Sequence, residues 1–318
     1  MNKVFVTSNI SREGIKLLED EFELEFYEHL GKQISEEELV EAAKNSDALV
    51  TILSDPVTER VIAAGDKLKI VANCGAGIDN IDVEACREKG ITVTNTPGVL
   101  HKTTADLTFA MILGISRRIT EAEKFLRAGN FAGWKPDLLL GSDIHGKKLG
   151  IIGMGEIGKT VAKRAQGFEM EVSYYKRTPL STQEEKELNC QYAEFDTLIK
   201  NSDYISLHVP LTKETHYMID DREFDLMKDS AYLINSARGP VVNESALVSA
   251  LEEKKIAGAA LDVFEEEPKV HSGLLEREDC LLLPHIGSAS RECRDSMAVL
   301  TCENVRNVLK GDEPKTPV

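Results

Sequence analysis

Three short polar segments hold the side chains best suited to chemistry in this chain. Asn235-Ser236-Ala237-Arg238-Gly239 follows one apolar run. Asp262-Val263-Phe264-Glu265-Glu266-Glu267-Pro268 follows the next, and Pro284-His285-Ile286-Gly287-Ser288-Ala289-Ser290 follows a third. An arginine gives planar, bidentate recognition of a carboxylate and polarises a neighbouring carbonyl. A histidine gives or takes a proton near neutral pH. A carboxylate beside it fixes its tautomer and favours its charged form. Singly, Arg238 reads as a surface ion pair, Glu267 as a solvated acid and His285 as a structural histidine. Their joint placement after three successive strands favours an acid–base site, because ligands bind at the carboxyl ends of strands in a doubly wound sheet.

A second constellation is Gly153-Met154-Gly155-Glu156-Ile157-Gly158. The apolar run Leu149-Gly150-Ile151-Ile152 leads in and a helical stretch, Lys159 to Gln166, leads out. In that context Gly153 makes a tight turn, Gly155 admits a pyrophosphate to the backbone, and Gly158 lets helix and strand pack closely. The helix start offers free N–H groups and partial positive charge to phosphates.

The elements that must position these groups alternate from the start. Val4–Thr7, Leu24–Tyr27, Ala48–Leu53 and Ile70–Asn73 read as strands; Arg12–Glu21, Ser35–Asn45 and Thr58–Ala64 read as helices. Ser35-Glu36-Glu37-Glu38 has capping-box spacing. After a break at Thr94–Gly98, Thr103–Ile119 forms a long helix apolar on most faces, which belongs in a core or a subunit interface; the interface is the preferred expectation. Further strands read as Leu149–Gly153, Glu171–Tyr175, Tyr204–His208, Ala231–Asn235, Gly258–Asp262 and Cys280–Leu283. Arg291–Lys310 is a last helix, followed by a polar tail with no strand. The alternation implies parallel sheets with crossover helices.

The 318 residues suit two domains. Net charge is −16, which argues against nucleic acid and anionic membrane as partners. The six cysteines, Cys74, Cys86, Cys190, Cys280, Cys293 and Cys302, fit no metal or disulfide spacing, and reduced thiols in the cytoplasm are expected. Met1–Thr7 runs straight into a strand without the apolar core of a signal peptide, and no apolar run is long enough to cross a bilayer.

The order of the glycine run, Asn-Ser-Ala-Arg-Gly, Leu-Asp-Val-Phe-Glu-Glu-Glu-Pro and Pro-His-Ile-Gly-Ser-Ala-Ser resembles the D-2-hydroxyacid dehydrogenase family. Val71–Asp79, Thr92–Pro97 and Val209-Pro210-Leu211-Thr212 are also similar to family segments, and the branch most resembled is the glyoxylate/hydroxypyruvate reductases. The resemblance implies an α/β fold of two Rossmann-like, doubly wound parallel-sheet domains. A flavodoxin-like substrate domain, 1–98 plus 286–318, would be split by an inserted NAD(P)-binding domain, 99–285. A hinge at the two crossings would close a cleft and exclude water. A homodimer is expected.

By the same resemblance, Arg238, Glu267 and His285 would be catalytic: Arg238 binding the substrate's carboxylate and keto oxygen, His285 the acid/base, Glu267 its partner. Leu53, Ser54, Ala76, Gly77 and Arg238 would meet the substrate, with the backbone N–H groups of Ala76 and Gly77 holding its carboxylate. Thr104, Gly153, Gly155, Glu156, Ile157, Gly158, His208, Val209, Pro210, Thr215, Ser236, Ala237, Arg238, Asp262, His285 and Gly287 would line the dinucleotide. No metal is expected. The implied reaction reduces a small 2-oxo acid to a D-2-hydroxy acid with a reduced nicotinamide; 2-ketogluconate remains an alternative substrate. A nucleotide-sensing co-repressor is the alternative from another class. A formate dehydrogenase would carry Gln where this chain has Glu267.

The strand end about 20 residues past the glycine run normally carries Asp or Glu for the ribose hydroxyls. Here Lys176, Arg177 and Thr178 follow Tyr175. Two cations and a hydroxyl suit a 2′-phosphate, so NADP(H) is expected over NAD(H). The alternative reading is a turn with exposed basic residues. Leu100 and the segment Trp134–Leu140 are candidates to shape the pocket or an interface.

Overall fold

A computed structural model describes residues 1–29 and 32–318. In chain order its elements are β1 (Lys3–Val6), α1 (Arg12–Ile15), β2 (Glu23–Phe26), α2 (Glu36–Asn45), β3 (Ala48–Thr51), α3 (Glu59–Ala64), β4 (Ile70–Asn73), α4 (Val83–Glu88) and β5 (Thr92–Thr94). Next come α5 (His101–Ser116), α6 (Ile119–Arg127), β6 (Lys148–Ile152), α7 (Glu156–Gln166), β7 (Glu171–Tyr175), α8 (Thr182–Leu188), β8 (Cys190–Tyr192), α9 (Phe195–Asn201) and β9 (Tyr204–Leu207). The chain ends with α10 (Asp221–Leu226), β10 (Tyr232–Asn235), a 3₁₀ turn (Gly239–Val241), α11 (Glu244–Glu252), β11 (Gly258–Leu261), α12 (Ser272–Leu275), β12 (Cys280–Leu282) and α13 (Arg291–Lys310). These form two compact units, Met1–Leu100 with Ser288–Val318, and His101–Gly287.

The first unit is built on the sheet β2-β1-β3-β4-β5, with every neighbour parallel. That is the flavodoxin strand order. β3 and β4 are buried along their whole length, as strands covered on both faces must be. One face packs Leu39, Val61, Ile62 and Val71 together; the other joins Val4, Val6, Ile15, Leu18 and Ile70 with Cys302 and Val305 of α13. Ser35 and Glu38 do form the capping box that starts α2. The segment expected as one helix from Arg12 to Glu21 is α only to Ile15 and then tightens into turns, with Leu17 N–H bonding Gly14 O and Leu18 N–H bonding Ile15 O. Two elements, α4 and β5, are too short to show a period in the residues. The polar tail is tied to β5: Val318 N–H donates to Val93 O at 3.0 Å, and Pro317 bridges Thr94 antiparallel.

The second unit carries the sheet β12-β11-β10-β9-β6-β7-β8, again all parallel. Its order around β6 is that of a dinucleotide-binding sheet, and the strand order reverses between β6 and β9. β8 was not anticipated, because Cys-Gln-Tyr is too short and mixed to show a period. α5, the apolar helix expected at a subunit interface, packs within this unit on α7 and on β10, β11 and β12, burying Ala105, Phe109, Met111, Ile112 and Ile115. Leu107 and Leu113 are only partly buried and Ala110 is exposed, so one stripe of the helix stays open.

Candidate active site

At the strand-order reversal, β6 runs into Gly153, where the backbone takes φ 97°, a left-handed value that suits glycine. A Cβ there would lie 2.5 Å from the carbonyl oxygen of His208, at the end of β9. At Gly158 a Cβ would lie 2.3 Å from Gly153 O, so the first turn of α7 sits directly on the loop. Gly155 is the N-cap of α7, and no side chain caps it. The first-turn N–H groups, those of Glu156 and Ile157 among them, are therefore left without a side-chain acceptor. A dinucleotide pyrophosphate fits that arrangement: uncapped donors, helix polarity and open space beyond Gly155.

Beyond β7, Lys176 is half-buried while Arg177 and Thr178 are exposed, and no carboxylate ends the strand. The turn after β9 is pinned by Thr215, whose hydroxyl donates to Pro210 O at 2.6 Å and accepts from Thr212 N–H at 2.8 Å. Glu214 on that turn sits below the usual carboxylate range, first through the Thr212 hydroxyl and also through the charges of Arg177 and Lys213. His208 shelters both ring nitrogens: Nε2 pairs with Ser206 Oγ at 2.8 Å, and Nδ1 is buried without a partner among the described residues. Burial pushes its pKa down to about 3.

The arginine, the glutamate and the histidine come to one edge. Asn235 shapes the first turn, its side chain accepting from Ala237 N–H at 3.0 Å and donating to Arg238 O at 2.9 Å. Arg238 donates to Ala237 O at 2.8 Å. Ser236 shares a 2.9 Å hydrogen bond with Thr108 of α5. Glu267 Oε1 accepts the Phe264 N–H at 2.9 Å, and Oε2 lies 2.9 Å from His285 Nδ1. Burial raises the Glu267 carboxyl, but the His285 hydrogen bond and charge, the Phe264 N–H and the Arg238 charge outweigh it and hold the group below its ordinary value. His285 itself has φ 52°. That left-handed conformation is unusual for a residue with a Cβ. Asp262 holds the backbone beyond it, accepting from Ile286 N–H and Gly287 N–H at 2.7 Å each. Asp262 is 1% exposed, and burial pushes its carboxyl up. A Cβ on Gly287 would meet this carboxylate at 3.2 Å and Thr104 at 3.4 Å.

Asp262, which the resemblance puts among the dinucleotide residues, accepts from the histidine loop with both oxygens. Two further contributors escaped sequence reading. Asn235 was visible only as a motif member, and Thr108 only as a hydroxyl on an otherwise apolar helix.

The first unit offers its own polar turn after β4. Asn73 donates to Gly77 O at 2.7 Å, Asn95 to Ala76 O at 2.7 Å, and Thr96 N–H to Gly75 O at 2.9 Å. With three carbonyls occupied, the N–H groups of Ala76 and Gly77 have no partner among the described residues. Leu53 packs beside Gly75, and Ser54 is exposed. Among the described residues no group of His, Cys, Asp and Glu is arranged to hold a metal.

Residues 109–287 match the model of the D-isomer specific 2-hydroxyacid dehydrogenase NAD binding domain. The chain is 48% identical over 316 residues to a glyoxylate reductase of Thermococcus litoralis, covering 98% of this chain and 95% of that one. A solved structure of a Thermus thermophilus protein superposes with TM-score 0.93 at 39% identity, covering 99% of each chain. An NADPH-dependent glyoxylate/hydroxypyruvate reductase of Sinorhizobium meliloti, solved with NADP and malonate, gives TM-score 0.87 at 31% identity, covering 100% of this chain and 96% of that one.

Proposed function

Because the chain belongs to the D-isomer specific 2-hydroxyacid dehydrogenase family, and so is an oxidoreductase acting on CH–OH groups that reduces small 2-oxo acids, we propose that glyoxylate and hydroxypyruvate are its substrates and that Arg238, Glu267 and His285 carry the reaction. The observation behind this reading is the 2.9 Å contact of His285 Nδ1 with Glu267 on the sheet edge that also bears Arg238 and the glycine loop. Glu267 occupies Nδ1 of the imidazole, which leaves Nε2 to deliver a proton to the substrate's carbonyl oxygen. Arg238 takes the substrate carboxylate and keto oxygen and, with the imidazolium, stabilises the negative charge that develops there. With its pyrophosphate held at Gly153–Gly158, a reduced nicotinamide dinucleotide would supply the hydride. Within the first unit, the Ala76 and Gly77 N–H groups, with Leu53 and Ser54 in the same unit, are the candidates to hold an anion.

We assign NADPH as the preferred cofactor, because Lys176, Arg177 and Thr178 stand where a carboxylate would contact the ribose. The relative solved with NADP is NADPH-dependent. A homodimer is supported by exposed apolar side chains concentrated in one stretch, Ile119, Leu126, Phe131, Trp134 and Leu140, with Trp134 82% exposed. α6 within that stretch buries no residue in its own unit. Six buried free thiols support a reducing compartment, the cytoplasm.

The test is oxidation of NADPH and NADH against a panel of 2-oxo acids. Glyoxylate and hydroxypyruvate should give the highest kcat/KM. Highest efficiency with 2-ketogluconate, or dinucleotide binding without any turnover, would overturn the assignment.

A further inference from the structure

Glu244 is a carboxylate buried to 4% exposure at the start of α11, outside the residues given a role above. It does not cap that helix: Asn243 does, accepting from Ala246 N–H at 3.2 Å. An ionisable group is costly to bury unless its hydrogen bonds are made, so its partners explain its position. Glu244 Oε1 accepts the N–H of Glu265 at 2.8 Å, and Glu265 Oε2 accepts the N–H of Glu244 at 3.1 Å. The two glutamates clasp each other's backbone. The other Glu265 oxygen takes the hydroxyl of Tyr217, and Tyr217 N–H donates to Pro240 O at 2.8 Å.

Those contacts join two segments that bear the reacting groups. Pro240 lies two residues past Arg238, and Glu265 lies two before Glu267. The segments touch: a Cβ on Gly239 would fall 1.9 Å from the carbonyl carbon of Phe264. Phe264 N–H in turn holds Glu267 Oε1, and Glu267 Oε2 holds His285. From Glu244 to His285 each link is a hydrogen bond or a backbone contact within one unit.

Resting on the functional reading above, we propose that Glu244 is a positioning residue, which acts through Glu265 and Tyr217 to fix the Glu267–His285 pair relative to Arg238. Misplacement of a catalytic group by about 1 Å costs up to about a hundredfold in rate, and none of the hydrogen bonds of this clasp involves Gly153–Gly158.

The experiment compares Glu244→Ala, Glu244→Gln and Tyr217→Phe with the wild-type enzyme. Glyoxylate reduction is followed across pH, dinucleotide Kd is followed by fluorescence, and rates are normalised to folded protein by thermal melting. Glu244→Ala should lose about tenfold or more in kcat, narrow the pH range of activity and leave Kd within about twofold. Glu244→Gln keeps an acceptor for Glu265 N–H and should recover most of that loss. Tyr217→Phe, altered at a partly exposed residue, should lose kcat in the same direction and alone decides the matter if Glu244→Ala does not fold. Wild-type kcat and pH profile in the decisive variant would overturn the proposal, as would equal impairment of Glu244→Ala and Glu244→Gln. An inactive wild-type protein would defeat the functional reading and this proposal with it; an active one with indifferent variants defeats the proposal alone.

Discussion

Glu267 holds His285 through one carboxylate oxygen and its own loop through the other, the first at 2.9 Å from Nδ1 and the second at 2.9 Å from Phe264 N. Replacing His285 with Ala removes the proton donor, and kcat/KM should fall by about 10²–10⁴. Glu267→Gln keeps the shape and loses the carboxylate charge beside the ring. Its loss of kcat/KM should be smaller than that of His285→Ala. Equal losses in the two variants would contradict this division of labour.

Asp262 should matter without touching substrate. Its two 2.7 Å hydrogen bonds fix the residues after His285, whose φ is 52°. Asp262→Ala frees two N–H groups, each worth about 1–3 kcal/mol to leave unsatisfied. Glyoxylate turnover should drop by at least about tenfold, and melting should show a less stable protein. A variant with full activity would rule the support out.

Gly158→Ala places a methyl 2.3 Å from Gly153 O, against backbone rather than a movable side chain. Helix α7 must shift, and the uncapped N–H groups shift with it. Dinucleotide Kd should rise by about tenfold or more, a loss of about 1.4 kcal/mol. Titration with NADPH and NADH should show both weakened together.

Arg177→Asp replaces a cation with an anion at the end of β7. A charge-assisted hydrogen bond contributes about 1.5–3 kcal/mol, so NADPH efficiency should fall by about tenfold to a hundredfold while NADH efficiency holds or improves. Steady-state kinetics with both cofactors measure the ratio, and an unchanged ratio would place the 2′-phosphate elsewhere.

His208 makes the protein acid-sensitive. Burial pushes its imidazole pKa down to about 3 in the folded chain, from 6.5 for the free side chain. Between those values the unfolded chain holds the extra proton, so stability is fully present above 6.5 and declines as pH falls through that window. From pH 7 to pH 5 the loss should be about 2 kcal/mol. Denaturant unfolding of His208→Gln should lack that decline; the same slope in both proteins would refute the assignment.

Much of this fold is legible in the residues, for physical reasons. The strands of the second sheet are buried on both faces and read as apolar runs, so β6, β9, β10 and β11 stand out. Edge elements have one face to cover: β8 has the burial pattern of a single buried residue in three. The 3.6-residue period revealed α5 but not its partner, because periodicity says that a face is apolar and nothing about what covers it. At the candidate site, Arg238, Glu267 and His285 declare themselves by their joint placement after three successive strands. Asp262 and Glu244 do not, because their oxygens bind backbone N–H groups brought together by the fold.

The closing helix also sets an order of events during synthesis. Cys302 and Val305 complete the core built on Val4, Val6, Ile15 and Leu18. A Cβ on Gly14 would lie 2.3 Å from Ala298 O, so α1 and α13 meet backbone to backbone. A ribosome delivers α1 well before α13. The unit of residues 101–287 has all its strands before then and can mature while tethered, whereas the first sheet waits with one face bare until Ser288–Val318 emerges. Chaperone demand, stalling and truncation should therefore fall on the sheet of residues 1–100, through the later-made residues 288–318.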